Sequence, residues 1–173
     1  MSDFIWVEKY RPTTIDECIL PKSIKKTFQD FVDRGEIPNM LLSGPPGIGK
    51  TTVAKALCNQ LGADYYVING SDEGRFLDTV RTNAKNFAST VSLTSESKHK
   101  VIIIDEADNT TSDVQLLLRA SIEEFSKNCR FIFTCNYKNK IIDPLHSRCS
   151  VVDFSIHKRD KPTIAAQFFS RLT

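Results

Sequence analysis

A glycine-rich run in the first half of the chain ends in Lys50 and Thr51. It reads Gly44-Pro-Pro-Gly-Ile-Gly-Lys50-Thr51 and satisfies the spacing GxxxxGK[ST], which is typical of phosphate-binding loops. Glycines let backbone N–H groups turn inward around a β-phosphate, while Lys50 would reach the β- and γ-phosphates and the Thr51 hydroxyl would bind Mg²⁺. The alternative is a glycine-rich turn with a chance Lys-Thr pair. An apolar strand before the run and a helix after it favour the phosphate loop.

Asp105 and Glu106 are a second candidate for the same chemistry, since they directly follow the aliphatic run at 101–104. A buried strand would deliver both carboxylates at its carboxyl end, where α/β sheets place their ligands. Asp105 would hold the shell of a Mg²⁺ ion, and Glu106 would polarise an attacking water. Alone, two acids could simply cap a strand. After a phosphate loop they indicate hydrolysis of a nucleoside triphosphate.

Two later residues, Asn136 and Arg148, are further candidates. Asn136 ends the apolar run that begins at Phe131, and its amide could orient the water or sense the γ-phosphate. The guanidinium of Arg148 could neutralise the transferring phosphoryl group at a neighbouring subunit's nucleotide. Asn is also common in turns, and a lone surface Arg is ordinarily solvated, so both alternatives stay open on spacing alone.

The hydrophobic pattern predicts the elements that would bring these residues together. Short apolar runs predict five strands, at 40–42, 65–68, 101–104, 131–133 and 151–154. Helical spacing predicts helices at 23–32, 52–61, 76–88 and 114–125 and from Lys161 onward, with a polar loop at 92–100. Strands that alternate with helices pair in parallel and are covered on both faces, so an α/β domain is expected.

Composition limits the classes of protein that the chain could be. Its 173 residues, 40% of them hydrophobic, suffice for one well-buried domain. A net charge of +2 means that contact with DNA would need a local patch. No apolar run approaches the roughly 20 residues of a membrane span, and the N-terminus lacks an export signal. Five cysteines without a CxxC pair predict reduced thiols in a cytosol-like compartment, without disulfides or structural zinc.

Several motifs are shared with one family. They are the phosphate loop, the DEAD sequence at Asp105 to Asp108, Asn136, the triplet Ser147-Arg148-Cys149, the N-terminal Trp6-Val-Glu-Lys-Tyr-Arg-Pro12 and the segments 69–72, 78–81 and 86–88. In this combination the chain resembles the AAA+ sliding-clamp-loader ATPases, the replication factor C family. Residues 9–21 and 51–58 are similar, more narrowly, to the ATPase subunits of T4-like bacteriophage clamp loaders. The resemblance spans nearly the whole chain.

The resemblance implies a AAA+ P-loop NTPase domain with five parallel strands in the order 5-1-4-3-2, helices on both faces, and ATP and Mg²⁺ as cofactors. The nucleotide would be held by Val7, Glu8, Lys9, Tyr10, Ile19, Gly47, Ile48, Gly49, Lys50, Thr51 and Thr52, and the metal by Thr51 and Asp105. The implied catalytic residues are Lys50, Asp105, Glu106, Asn136 and Arg148, the last acting in trans. Coupling to DNA would use Gln115, Arg75 and Arg81. The alternative for Gln115 is an exposed helical glutamine, and without the resemblance neither interpretation is favoured.

The implied function is that of the ATPase subunit of a clamp loader, in which ATP binding and hydrolysis drive loading of a sliding clamp onto primer-template DNA during replication. Partners would be the clamp, primer-template DNA, other copies of the chain and a distinct small subunit, with no membrane, in the cytoplasm (that of the host for a phage protein). Residues 1–156 would form the ATPase domain and 157–173 the start of a lid or second domain. Two alternatives are a nucleotide-gated binding module that no longer hydrolyses and another AAA+ DNA machine, such as an initiator or a branch-migration motor.

Overall fold

Five strands form one sheet in the computed structural model, which describes residues 11–72, 76, 78–90, 100–155 and 160–172. In chain order they are β1 (Met40–Ser43), β2 (Tyr65–Asn69), β3 (Lys100–Asp105), β4 (Cys129–Cys135) and β5 (Ser150–Asp153). All five predicted strands are present, and most extend slightly beyond the apolar runs that predicted them.

Every pair of neighbouring strands is parallel, and the order across the sheet is β2-β3-β4-β1-β5. This is the predicted order 5-1-4-3-2 counted from the opposite edge, so the predicted fold is confirmed. β1, β3 and β4 lie inside the sheet and are largely apolar because both of their faces are covered. Ser43 pairs with Cys135 and Asn69 pairs with Asp105. The carboxyl ends of these four strands therefore meet at one edge, the edge where α/β sheets bind ligands.

Helices cover both faces of the sheet. They are α1 (Lys22–Arg34), α2 (Lys50–Leu61), α3 (Lys85–Ser89), α4 (Ser112–Glu124), α5 (Asp143–Arg148) and α6 (Lys161–Leu172), with single 3-10 turns at Ala107–Asn109 and Lys138–Lys140. α1 ends at Gly35, whose φ of 67° is the left-handed conformation that commonly terminates a helix. Within the described ranges, no helix is both long and apolar enough to cross a membrane.

The segment at 76–88, predicted as an α-helix, is partly a π-helix in the structure. Thr79–Ala84 form a π-helix, and α3 continues from Lys85. Phe76, Val80 and Ala84 are nevertheless buried. The apolar spacing thus identified the buried face, but it could not reveal the wider turn, because π-helical turns are rare and depart only slightly from α-helical spacing.

Two apolar clusters fill the space between the sheet and its helices, one on each face. Met40 and Leu42 of β1 pack into the first cluster with Phe28 of α1, whereas Leu41 packs into the second with Leu118 of α4. This division follows from the alternation of side chains along a strand. The sheet is thus the middle of three layers, with helices packed on each of its faces.

Several predictions lie outside the described residues. They concern the adenine-pocket residues Val7, Glu8, Lys9 and Tyr10, the DNA-coupling residue Arg75, positions 92–99 of the polar loop predicted at 92–100 and the domain boundary between 156 and 157. The last residue of that predicted loop, Lys100, is instead the first residue of β3.

Candidate nucleotide-binding site

The phosphate loop joins β1 to α2 and passes twice through left-handed backbone. Gly47 has a φ of 77° and Gly49 a φ of 85°, conformations that residues with a Cβ rarely adopt. Gly49 caps α2, so the helix begins at Lys50. The first N–H groups of a helix lack partners within the helix and favour anions. The two glycines therefore permit the turn that places a helix N-terminus beside the sheet edge.

The ammonium group of Lys50 donates to three oxygens. Its Nζ lies 2.6 Å from the carbonyl oxygen of Gly44, 2.9 Å from that of Pro45 and 3.1 Å from Oδ1 of Asn136. Lys50 is 8% exposed. Burial lowers the pKa of this ammonium from the ordinary lysine value, and nearby acidic groups oppose that shift. A nucleotide phosphate bound by Lys50 would replace these neutral oxygens with charged ones.

Thr51 and Asp105 meet in the site. The Thr51 hydroxyl donates to Oδ1 of Asp105 at 2.7 Å. Both side chains offer the hard oxygen atoms that Mg²⁺ prefers, and protein-bound Mg²⁺ commonly uses one or two carboxylates together with substrate phosphates. Over the described ranges, no group of three or more His, Cys, Asp or Glu could hold a metal by itself. The donor set therefore fits a Mg²⁺ ion held jointly with a nucleotide.

Glu106 directly follows β3 in an unusual backbone conformation. Its φ of 54° is the one positive value recorded for a non-glycine residue in the described part of the chain. The Glu106 N–H donates to Oγ1 of Thr134 at 3.1 Å, and that hydroxyl donates to Oδ1 of Asp105 at 2.5 Å. Sequence reasoning missed Thr134. The only signal in the sequence is its place in β4, two residues before Asn136.

Asp108 holds Asn136 in place. Its Oδ2 accepts hydrogen bonds from the backbone N–H groups of Asn136 and Tyr137, both at 3.1 Å. Asp108 is 8% exposed, and a buried carboxylate needs such donors. Sequence reasoning gave Asp108 no role, although it ends the DEAD sequence and so lies close to the acidic pair.

One cleft of about 240 Å³ collects most of the predicted site residues that the structure describes. Its lining comprises residues 46–52, Asp105, Glu106, Thr134, Cys135 and Asn136. The structure thus brings Gly47, Ile48, Gly49, Lys50, Thr51 and Thr52 together with both acids and Asn136. This grouping of a phosphate loop, two carboxylates and a strand-end amide suits binding of a polyphosphate with a divalent cation.

Ile19, predicted for the adenine pocket, is half-buried and lies elsewhere. It lines a second cleft that residues 16–25 form with α6. In this cleft the side-chain amide of Gln167 accepts from the backbone N–H of Leu20 at 3.2 Å and donates to its carbonyl oxygen at 2.9 Å. Ile19 therefore lines a different cleft from the one that contains the phosphate loop.

Gln115 is buried, which rejects the alternative of an exposed helical glutamine. Its side chain is 1% exposed. The Nε2 donates to the carbonyl oxygens of Thr110 at 3.3 Å and Lys140 at 3.0 Å, while Oε1 accepts from the backbone N–H of Ile142 at 2.8 Å. Gln115 therefore joins α4 to the segment that follows Asn136.

Arg148 and Arg81 lie away from the phosphate cleft. Arg148, at the end of α5, pairs with Glu123 of α4: its Nε donates to Oε1 at 2.8 Å, and its Nη2 contacts the same oxygen. These hydrogen bonds lower the pKa of the Glu123 carboxyl. The Arg148 side chain is 31% exposed, so it is neither fully solvated nor hidden. Arg81 is exposed on the π-helix.

Cys135 lines the phosphate cleft, but its thiol is not activated. Burial raises the pKa of Cys135 to about 11 and the pKa values of Cys58, Cys129 and Cys149 to about 12. A thiol of that pKa is protonated near neutral pH and is a poor nucleophile. The chemistry of the cleft therefore rests on its oxygen and nitrogen groups.

Comparison with known proteins agrees with this geometry. Residues 40–157 match the model of the ATPase family associated with various cellular activities (AAA). The chain is 46% identical over 158 residues to a replication factor C small subunit of Methanocella arvoryzae, covering 88% of this chain and 48% of that protein. It is 45% identical over 175 aligned positions to the sliding-clamp-loader large subunit of Enterobacteria phage T4, covering 99% of this chain and 54% of the relative.

Among solved structures, the Thermotoga maritima RuvB Holliday junction branch migration motor superposes with a TM-score of 0.68 at 22% identity. The match covers 94% of this chain and 55% of that one, and at this identity it concerns the fold alone. The chain spans about half the length of the curated relatives it matches. The family match covers most of the chain, including the phosphate loop, both acids and Asn136, and the chain therefore belongs to the AAA family of ATPases.

Proposed function

We propose that this chain is the ATP-hydrolysing module of a sliding-clamp loader that acts in DNA replication. The observation that carries the proposal is the meeting of Lys50, Thr51, Asp105, Glu106 and Asn136 in one cleft. The sequence identity of 43–48% to replication factor C small subunits and phage clamp-loader large subunits supports clamp loading as the process in which the chain acts.

ATP binding would use the loop and the start of α2. Lys50 would exchange its contacts with the carbonyl oxygens of Gly44 and Pro45 for phosphate oxygens, while the backbone N–H groups at 47–52 surround the β-phosphate. Thr51 and Asp105 would hold Mg²⁺, which neutralises phosphate charge when it is bound. Ile19, with Val7, Glu8, Lys9 and Tyr10, would contact the adenine.

Hydrolysis needs a water held in line with the γ-phosphate. Glu106 lines the cleft, and its carboxylate can accept a proton from that water. Asn136, fixed by Asp108, can orient the water or contact the γ-phosphate through its amide. Because the backbone of Glu106 is bonded to Thr134 and that of Asn136 to Asp108, both groups are oriented before ATP arrives.

Communication with partners would use residues outside the cleft. Arg148 would leave Glu123 and reach the nucleotide of a neighbouring copy in the assembly, where a guanidinium stabilises the charge of phosphoryl transfer. Gln115 would couple the site to DNA, since it joins α4 to the segment after Asn136. Arg81 and Arg75 would be further DNA-coupling residues. The partners would be a sliding clamp, primer-template DNA, other copies of the chain and a distinct small subunit.

Capture on an immobilised sliding clamp tests the proposal. The full-length protein should bind the clamp with ATP and much less without it. Lys50→Ala should lose this dependence, whereas Lys55→Ala, on the same helix but outside the cleft, should keep it. An initiator or a branch-migration motor would not bind the clamp, so failure of the parental protein to bind would reject the proposal. Clamp binding without phosphate release would indicate a non-hydrolysing module.

A further inference from the structure

Thr134 connects the two acidic residues of the cleft. Its side chain lies on β4, the strand beside β3, and is 1% exposed. Its Oγ1 lies 2.5 Å from Oδ1 of Asp105 and 3.1 Å from the backbone nitrogen of Glu106. One buried hydroxyl is therefore bonded both to the predicted metal ligand and to the backbone of the predicted general base.

The direction of both hydrogen bonds follows from the chemistry of the groups. A backbone N–H can only donate, so the Glu106 bond uses a lone pair of the Thr134 hydroxyl. A hydroxyl has a single proton, and an ionised carboxylate can only accept, so that proton lies toward Asp105. The hydroxyl thus has a fixed orientation, and no other small side chain except serine could fill both roles at this position.

The Glu106 backbone needs such support because its φ of 54° is unfavourable for a residue with a Cβ. A second hydrogen bond, from the Asn109 N–H to the Glu106 carbonyl oxygen at 3.0 Å, holds the other side of this residue. Without the Thr134 hydroxyl, the Glu106 N–H would lose its partner, and the turn would be free to relax toward ordinary values of φ. The Glu106 carboxylate would then move away from its place in the cleft.

We propose that Thr134 is a positioning residue for ATP hydrolysis: its hydroxyl orients the Asp105 carboxylate for Mg²⁺ and holds Glu106 in the conformation that directs its carboxylate to the water. The inference rests on the proposed function, because it assumes that the cleft hydrolyses ATP. It predicts effects on two separable properties, the use of Mg²⁺ in nucleotide binding through Asp105 and turnover through Glu106.

Three variants of the full-length protein test this role. Thr134→Val keeps the shape and removes the hydroxyl, and Thr134→Ser keeps the hydroxyl and removes the methyl group. Thr27→Val is the matched control, because its hydroxyl bonds to the Ser23 carbonyl within α1, outside the cleft. For each variant, the affinity for the non-hydrolysable analogue adenylyl-imidodiphosphate is measured with Mg²⁺ and with EDTA, along with kcat, KM and the thermal midpoint.

Thr134→Val should bind the analogue in EDTA within about two-fold of the parental protein, but it should need on the order of ten-fold more Mg²⁺ for half-maximal tight binding. Its kcat should fall by roughly 10- to 10²-fold, with a smaller change in KM. Thr134→Ser should restore most of both properties, and Thr27→Val should alter neither. Loss through general destabilisation would instead lower the affinity in EDTA and the thermal midpoint together.

If Thr134→Val has the same Mg²⁺ dependence and the same kcat as the parental protein, the inference is overturned, while the proposed function stays intact. Failure of Thr134→Ser to differ from Thr134→Val would also overturn it, because the hydroxyl would then not be the important group. A parental protein that does not hydrolyse ATP would reject the proposed function itself, so the two failures are distinguishable.

Discussion

The Nζ of Lys50 lies 3.1 Å from Oδ1 of Asn136, so the start of α2 and the end of β4 are joined across the nucleotide cleft. Asn136 is itself fixed through its backbone by Asp108. A change in the charge around Lys50, such as the arrival of phosphates, must therefore alter the surroundings of Asn136 as well. This contact links nucleotide binding to the group proposed to orient the attacking water.

Lys50→Ala should nearly abolish ATP binding. Lys50 is the lysine that lines the cleft, and charge-assisted hydrogen bonds of this kind contribute about 1.5–3 kcal/mol each, so affinity should fall by roughly 10² or more. Isothermal titration with ATP and Mg²⁺ measures the change, with Lys55→Ala as the control. Micromolar affinity in Lys50→Ala would mean that the phosphates bind elsewhere.

Glu106→Gln should separate binding from hydrolysis. The substitution keeps the side-chain volume and the neighbouring Asp105, but it removes the carboxylate that would accept a proton. ATP affinity should stay within a few-fold, while phosphate release by the assembled protein should fall by roughly 10² or more. Turnover at the parental rate would assign the general base to another residue.

Gln115→Leu should destabilise the fold. It removes three hydrogen bonds from a side chain that is 1% exposed and leaves the Ile142 N–H without its partner. The free energy of unfolding should drop by about 2–3 kcal/mol, as measured by urea titration. Gln29→Leu removes a bond to Asp33 within α1 and should cost less than about 1 kcal/mol, because such i,i+4 side-chain pairs on a helix stabilise it only weakly. Equal small losses in both variants would show that the Gln115 bonds contribute little.

Arg148→Ala should impair hydrolysis only in the assembly. A finger that acts in trans contributes on the order of 10³ or more to phosphoryl transfer, so stimulated turnover should fall by about that factor while ATP affinity changes only a few-fold. Glu123→Gln is the matched control, since it weakens the observed ion pair and keeps the guanidinium. Its turnover should stay within a few-fold of the parental rate.

Mixed assemblies show on which site Arg148 acts. Copies with Arg148→Ala combined with copies carrying Glu106→Gln should recover some activity, because the first defect falls on the neighbour's site and the second on the copy's own site. Arg148 would instead be only a structural partner of Glu123 if the mixtures never turn over ATP faster than either variant alone. Equal losses of turnover in Arg148→Ala and Glu123→Gln would have to accompany that result.

The strands and the phosphate cleft could be predicted from sequence because their signals are local. The run 44–51 specifies a loop by its glycines, and the aliphatic run before Asp105 specifies a buried strand. The resemblance to clamp-loader ATPases added the strand order, which local pattern does not contain. Together they placed Lys50, Thr51, Asp105, Glu106 and Asn136 at one edge of the sheet, as the structure shows.

The supporting residues could not be predicted because their roles depend on contacts between distant segments. Thr134 reads as an ordinary strand residue until β4 is placed beside Asp105. Gln115 reads as a polar surface residue until the segment at 140–142 folds over it. The sequence leaves open whether Arg148 is a solvated charge or a finger, and it gives no sign of the contact with Glu123 of α4. In each case a polar side chain is satisfied by a partner far away in the chain, and residue type alone does not reveal that partner.

The steady-state rate of ATP hydrolysis by the full-length protein, assembled with its partner subunits, tests the proposed function most directly. It is measured alone, with a sliding clamp, with primer-template DNA, and with both. A clamp-loader ATPase should hydrolyse slowly alone and fastest with both present, and Glu106→Gln should remove the stimulated rate. An equal rate under all four conditions, or stimulation by DNA alone with no response to the clamp, would contradict the assignment.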